Sequence, residues 1–452
     1  MAESNDVYKT LNLALRIGEV LLSSGAGAAD VSAQMDNVAR SCGLRRFSAD
    51  VTFTELAMSH QSSPDEPALI QLRQVRRREV DYEDLTRVDH LVRDLVAGKI
   101  DRDEATTRLN RIVSSGHARP RWSVTLGLGA MGAGVGMILG GNAAMVAIAF
   151  VAACSIDGIA VLMAKAQLPA FYVQAAGGLF ATLLAAGVAR TGLEISPSRV
   201  ITASIIALLA GVSFLGAIQD ALSGFPLTGG ARILEAIIAT AGLIAGVSGG
   251  LTMAREFGIG LGKVAAGPII FANLPIVAAG GAISAVAYAF AAYAPLRSLI
   301  PIAIIAGGAL SVYLVIYERH LGIAWASAIA ALLVGLVSYT ASGRFRVPAL
   351  VIVTAAIVPM LPGLSIYRGL AQLSEGNSNG LLGMVTAATI AIALAAGVIL
   401  GEYVAQPLKR EAGKLERRLS GPRLVGPATI RSVRRHHHKR RRPDEHDTTR
   451  DM

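Results

Sequence analysis

From residue 124 to residue 404 the chain is a succession of apolar blocks separated by short polar or Gly/Pro-containing joints. The blocks run to about 20 residues, the length a helix needs to cross a bilayer. Ten spans are predicted, at about 124–140, 143–164, 170–189, 200–218, 233–254, 268–290, 298–317, 322–340, 347–364 and 381–404. The first five repeat in the last five at an offset of 147 residues. With Arg199-Val200 set on Arg346-Val347, GVSFLG (211–216) falls without a gap on VPMLPG (358–363), and Gly216 meets Gly363. Five is an odd number, so the two halves enter the membrane in opposite senses. Inverted repeats with paired broken helices are the architecture of alternating-access carriers. The predicted fold is a polytopic α-helical membrane protein, ten transmembrane helices in a 5+5 inverted repeat.

Residues 1–121 have a different pattern. Leu11, Leu15, Ile17, Leu21 and Leu22 recur at three-to-four spacing over 7–23, with Gly25 as a stop, and a second helix is predicted over 28–41. Alternation in SADVTFTELAMSH (48–60) and ALIQLRQV (68–75), separated by SSPDEP (62–67), predicts a pair of strands. Helices over 82–97 and 101–115, the latter capped by Asp101, lead to the first span. The domains expected are therefore a cytoplasmic α/β domain (1–121), two five-helix membrane halves (122–256 and 268–404) and a basic, disordered cytoplasmic tail (405–452).

Composition agrees with a membrane protein: 53% of the 452 residues are hydrophobic, and the mean hydropathy is +0.51. The net charge of +10 is mostly a tail, since residues 405–452 carry 14 Lys/Arg against 6 Asp/Glu. RRHHHKRRR (434–442) after a last span fits anionic lipid and holds that end in the cytoplasm; nothing aromatic is interleaved to stack on bases, so no nucleic acid is expected. His117, Arg119 and Arg121 before the first span place the other terminus on the same side, and no apolar leader precedes them. Localisation in the inner (plasma) membrane with both termini cytoplasmic follows. The two cysteines, Cys42 and Cys154, provide neither a disulfide framework nor a metal spacing, and no cofactor is expected. Homo-oligomerisation is left open.

Ionisable residues inside a span are functional candidates by default. Asp157, in the second span with no basic residue within a helical turn, is the candidate proton-coupling carboxylate, its pKa expected to rise by desolvation. In GAIQDALSGFPLTGGARILEA (216–236), Gln219 and Asp220 end one helix while Arg232 and Glu235 open the next at i, i+3, a spacing that lets them pair. Pro359 and Pro362 remove backbone donors in the ninth span and Gly363 lets the chain turn, as Gly211 and Gly216 do in the fourth. Amides and carbonyls freed in this way suit a zwitterionic amino acid. The stripes Gly132/Gly136/Gly140 and Gly242/Gly246/Gly250 are read as helix-packing surfaces.

These motifs together resemble the threonine/serine exporter family over nearly the whole chain. GEVLLSSGAGAADV (18–31) and DVTFTEL (50–56) resemble its N-terminal signature, residues 216–236 the end of its first membrane half, and VPMLPGLSIYRGL (358–370) the second. The resemblance implies a secondary exporter of small hydroxy amino acids driven by the proton gradient, with dicarboxylate (succinate) export as the alternative. It adds Tyr367 and Arg368 to Gln219, Asp220, Arg232, Glu235, Pro362 and Gly363 as substrate-binding or gating candidates. A membrane-anchored hydrolase built on Ser23, Ser24, Asp30, Asp50, Glu55 and His60 is the reading from another class; no spacing there sets a nucleophile beside a base, and the chain is not expected to be an enzyme.

Overall fold

The computed structural model describes residues 2–76, 78–191, 195–209, 211–259, 274–374 and 377–419. The beginning of the span expected at 268 and most of the basic tail, from residue 420, lie outside the described residues.

The N-terminal region opens with α1 (Ala2–Ser23) and α2 (Ala28–Ser41), which pack on an antiparallel three-stranded meander of order β1-β2-β3: β1 (Phe47–Val51), β2 (Glu55–His60) and β3 (Leu69–Gln74). The first alternating run is itself a hairpin, because the Thr52 amide donates to the Glu55 carbonyl at 2.9 Å. Three strands therefore stand where two were expected. Leu56 and Met58 point from β2 into a core that also holds Leu11, Leu15, Ile17, Met35 and Val38, so the three-to-four and two-residue periods bury the same layer. Next come α3 (Tyr82–Val96) and α4 (Arg102–Ser114), with Asp81 and Asp101 as their caps; Asp101 accepts from the Glu104 amide at 2.7 Å.

The apolar part begins with α5 (Arg121–Ile138), α6 (Ala143–Lys165) and α7 (Ala170–Ala189). A short α8 (Pro197–Ser204) and a 3-10 turn at Ile206–Leu208 lead to α9 (Gly211–Leu222) and the long α10 (Pro226–Glu256). The order then recurs: α11 (Leu274–Ala291), α12 (Leu299–Glu318), α13 (Ile323–Phe345), a short α14 (Ala349–Ile357), a 3-10 turn at Val358–Met360, α15 (Gly363–Ser374) and the long α16 (Asn379–Leu419). Among the described residues seven helices are long and apolar enough to cross a membrane, and the pair α8 with Ile206–Leu222, bent by 41°, makes an eighth. The two expected spans outside that set are α5, whose apolar character is diluted by five glycines between Gly127 and Gly136, and the α14–α15 pair, of which Ala349–Met360 is a shorter apolar helix. The protein is thus a mostly helical integral membrane protein with one small sheet.

Glycine places the helices. A Cβ on Gly134 would lie 2.7 Å from the Gly280 carbonyl oxygen, and one on Gly280 would lie 2.7 Å from that of Gly134, so α5 and α11 touch backbone to backbone. Gly242 and Gly246 of α10 meet the carbonyls of Phe171 and Ala175 on α7, while Gly397 and Gly401 of α16 meet those of Ala328 and Leu332 on α13. The stripe over 242–250 is a packing surface, as read from its spacing.

Candidate functional site

The site lies where the two interrupted helices meet. Leu209 and Leu361, after the 3-10 turns, are extended (φ −69°, ψ 132° and φ −64°, ψ 143°). Gly211 opens α9 and Gly363 opens α15, 152 residues apart. A Cβ on Gly211 would lie 2.9 Å from the Leu361 Cβ; one on Gly363 would lie 2.8 Å from the Leu209 Cβ. Each break thus receives the leucine of the other, and only glycine permits that approach. This corrects the 147-residue register. The partner of Gly363 is Gly211, and Gly216, five residues further on, lies within a helix. Pro359 sits in the second 3-10 turn, and Pro362 is buried beside Gly363. Tyr367 and Arg368, beyond the expected end of the ninth span, lie on α15.

On one side of the breaks a cavity of about 330 Å³ is lined by α9, α10, α13, α14 and α16 and by the N-terminal region. Gln219, Asp220 and Arg232 face it with Asp30, Asp89, Arg93 and Glu402. Asp220, 2% exposed, accepts from the Arg232 guanidinium at 2.5 Å and from the Ala28 amide at 2.8 Å. Its carboxylate therefore supplies the cap that Gly27, at the start of α2, cannot. A Cβ there would stand 3.3 Å from Asp220 Oδ1, a tight contact that glycine avoids. The GAGAAD segment is thus a docking element, with Gly25 turning at φ +98° to bring α2 in. Arg232 pairs with Asp220 and leaves Glu235 exposed, in place of the i, i+3 pair expected from spacing.

Asp30 is reachable from the cavity but surrounded by protein. Burial, then the negative charges of Asp220 and Asp89, push its carboxyl above the ordinary carboxylate range. Among the described residues neither Asp30 nor Glu402 has an ion-pair partner. In the sequence, Asp30 entered only as part of a hydrolase constellation. Only the docking of α2 against α9 brings Asp30 and Glu402 to one space. The other members of the hydrolase constellation do not join them: Ser23 donates to the Val20 carbonyl at 3.0 Å, and Asp50, Glu55 and His60 lie on the sheet.

Asp157 needs a correction to its premise. It is 7% exposed, but Arg121, at the start of α5, donates to Oδ1 at 2.7 Å, and Thr125 donates to Oδ2 at 2.7 Å. The basic partner is 36 residues away in sequence, so a search within a helical turn misses it. The N-terminal region is held to the helices near there as well. The Tyr82 amide donates to the Ala292 carbonyl at 2.8 Å, and Arg119 donates to those of Phe290 (3.0 Å) and Ala294 (2.7 Å).

Two family models match the chain in succession. A family model described as "Putative threonine/serine exporter" matches residues 12–254, and a second, described as "Threonine/Serine exporter, ThrE", matches residues 278–404. The "Probable threonine/serine exporter" of Mycobacterium tuberculosis is 34% identical over 436 residues, 94% of this chain and 82% of that protein. The "Threonine/serine exporter" of Corynebacterium glutamicum is 33% identical over 418 residues, 91% of this chain and 85% of its own length. No solved structure matches. With a helical membrane body, paired helix breaks and relatives matched along nearly its full length, the chain belongs to the threonine/serine exporter family.

Proposed function

We propose that the protein exports threonine and serine as a secondary carrier, and that the cavity beside the helix breaks is where substrate enters from the cytoplasm. The observation that carries this reading is the cavity lining. It offers carboxylates at Asp30 and Glu402, neither in an ion pair among the described residues, for the ammonium group of an amino acid. Four carboxylates against two guanidinium groups, Arg93 and Arg232, would repel a dianion, which favours a zwitterionic amino acid over succinate.

The architecture we propose is ten spans in a 5+5 inverted repeat behind a cytoplasmic domain of residues 1–121, with both termini inside and the basic tail against anionic lipid. Support comes from the recurring element order and the reciprocal contacts Gly211 with Leu361 and Gly363 with Leu209. Export is driven by protons in this reading. Asp157, ion-paired with Arg121, is the proposed coupling carboxylate. Asp30 and Glu402 are the alternative carriers.

Counterflow in proteoliposomes tests the assignment. Vesicles loaded with serine, threonine, succinate or buffer are followed for entry of labelled serine. Stimulation by serine and threonine alone is expected, and succinate exchange without it would move the protein to dicarboxylate transport. Efflux under an imposed pH gradient in Asp157→Asn, Asp30→Asn and Glu402→Gln then locates the coupling group: the variant that keeps exchange but loses the response to the gradient identifies it.

A further inference from the structure

The 152-residue register of the breaks sets position 216 against 368 and position 220 against 372. In the first limb, α9, residue 216 is glycine and the Arg232 guanidinium lies directly over it, 3.1 to 3.2 Å from where a Cβ would be. Four residues on, Asp220 neutralises that guanidinium. In the second limb, α15, residue 368 is itself an arginine. Each limb thus carries a guanidinium at the same helical position, supplied by α10 in one half and by the limb itself in the other.

The halves differ in the counter-charge. The counterpart of Asp220 is Gln372, which is neutral. Among the described residues Nε and Nη2 of Arg368 are buried and have no hydrogen-bond partner. A guanidinium is always charged, has five donors in a planar fork and is costly to bury alone. The fork matches a carboxylate, and Gln372, in the position of Asp220, does not supply one.

We infer that Arg368 binds the carboxylate of the transported amino acid, on the opposite side of the helix breaks from the Arg232–Asp220 pair. This inference rests on the export reading and on the inverted repeat proposed above. Arg368 stands five residues past Gly363, about 7.5 Å along the helix at 1.5 Å per residue. A substrate passing the breaks would exchange a site where Asp220 already satisfies the guanidinium for one where its own carboxylate does so. That difference favours onward movement.

The test compares wild type with Arg368→Gln, Arg368→Lys and Gln372→Asp in serine counterflow, with serinamide, which lacks the carboxylate, as competitor. Wild type is expected to discriminate strongly against serinamide. Arg368→Gln should lose at least tenfold in serine counterflow and most of that discrimination, while Arg368→Lys keeps part of both. Gln372→Asp, which restores an internal carboxylate four residues on, should lose transport while its thermal midpoint rises, a response that a merely structural arginine would not produce. Wild-type counterflow and discrimination in Arg368→Gln would overturn the inference. So would a site filled by inorganic anion, seen as chloride-dependent thermal stabilisation that Arg368→Gln abolishes while the serine-to-serinamide preference stays intact. If wild type itself moves neither serine nor threonine, the export reading is what fails.

Discussion

The Asp220–Arg232 pair makes the docking of the N-terminal region measurable. Asp220→Asn removes the charge from a side chain that is 2% exposed and leaves the Arg232 guanidinium, 15% exposed, without its carboxylate. Breaking a buried ion pair by removing one member costs about 3–5 kcal/mol. Asn keeps an oxygen for the Ala28 amide and Arg232 keeps some solvent, so the low end, about 3 kcal/mol, is expected. At 1.4 kcal/mol per tenfold, that is roughly a hundredfold shift in the docking equilibrium. Hydrogen–deuterium exchange over the first turn of α2 reads it directly, because that turn is capped from outside by Asp220. Asp220→Asn should exchange there about a hundredfold faster, Arg232→Gln should be comparably fast, and the double variant should fall short of the sum by about 2 kcal/mol, since the second change removes the charge stranded by the first. Exchange within threefold of wild type in both single variants would refute the reasoning, because the pair would then not be what holds α2.

Two further predictions follow from the same geometry. Gly211→Ala and Gly363→Ala each place a methyl group within 2.9 and 2.8 Å of the opposing leucine Cβ, so each should cost about 1–3 kcal/mol of stability and slow counterflow at least tenfold; unaltered thermal midpoints in both would contradict the close approach. Asp30 has its carboxyl raised by burial and by Asp220 and Asp89, so the folded state holds the proton more tightly than the unfolded chain does. Stability should therefore fall as pH rises from the ordinary carboxylate range through the raised value, and Asp30→Asn should flatten that part of the profile; an unchanged slope in a thermal-unfolding series against pH would exclude Asp30 as its source.

How far the site could be read from the sequence varied with the range of the interaction. The broken helices were legible because proline and glycine act on their own backbone: Pro359, Pro362 and Gly363 mark the second break wherever the helix packs. The register between the breaks was not legible to better than five residues. Gly211 and Gly216 are both glycines in an apolar run, and the choice between them depends on which one Leu361 fills. Most of α15 fell outside the predicted spans because Tyr367, Arg368 and Gln372 lower its hydropathy. Partners distant in the chain were invisible from local spacing, as with Arg121 for Asp157, 36 residues away, and Ala28 for Asp220, 192 residues away.

The sequence by itself determined the membrane body, the N-terminal helices and the two interruptions, since apolar block length, side-chain period and backbone chemistry are local properties. Tertiary structure alone decided which charges are neutralised and which stand bare. The free energy of a buried ion depends on what lies within a few ångströms of it, and here those neighbours come from other helices. Asp157 gains a cation, Arg232 turns from Glu235 to Asp220, Asp30 and Glu402 meet across one cavity, and Arg368 is left without a counter-ion among the described residues.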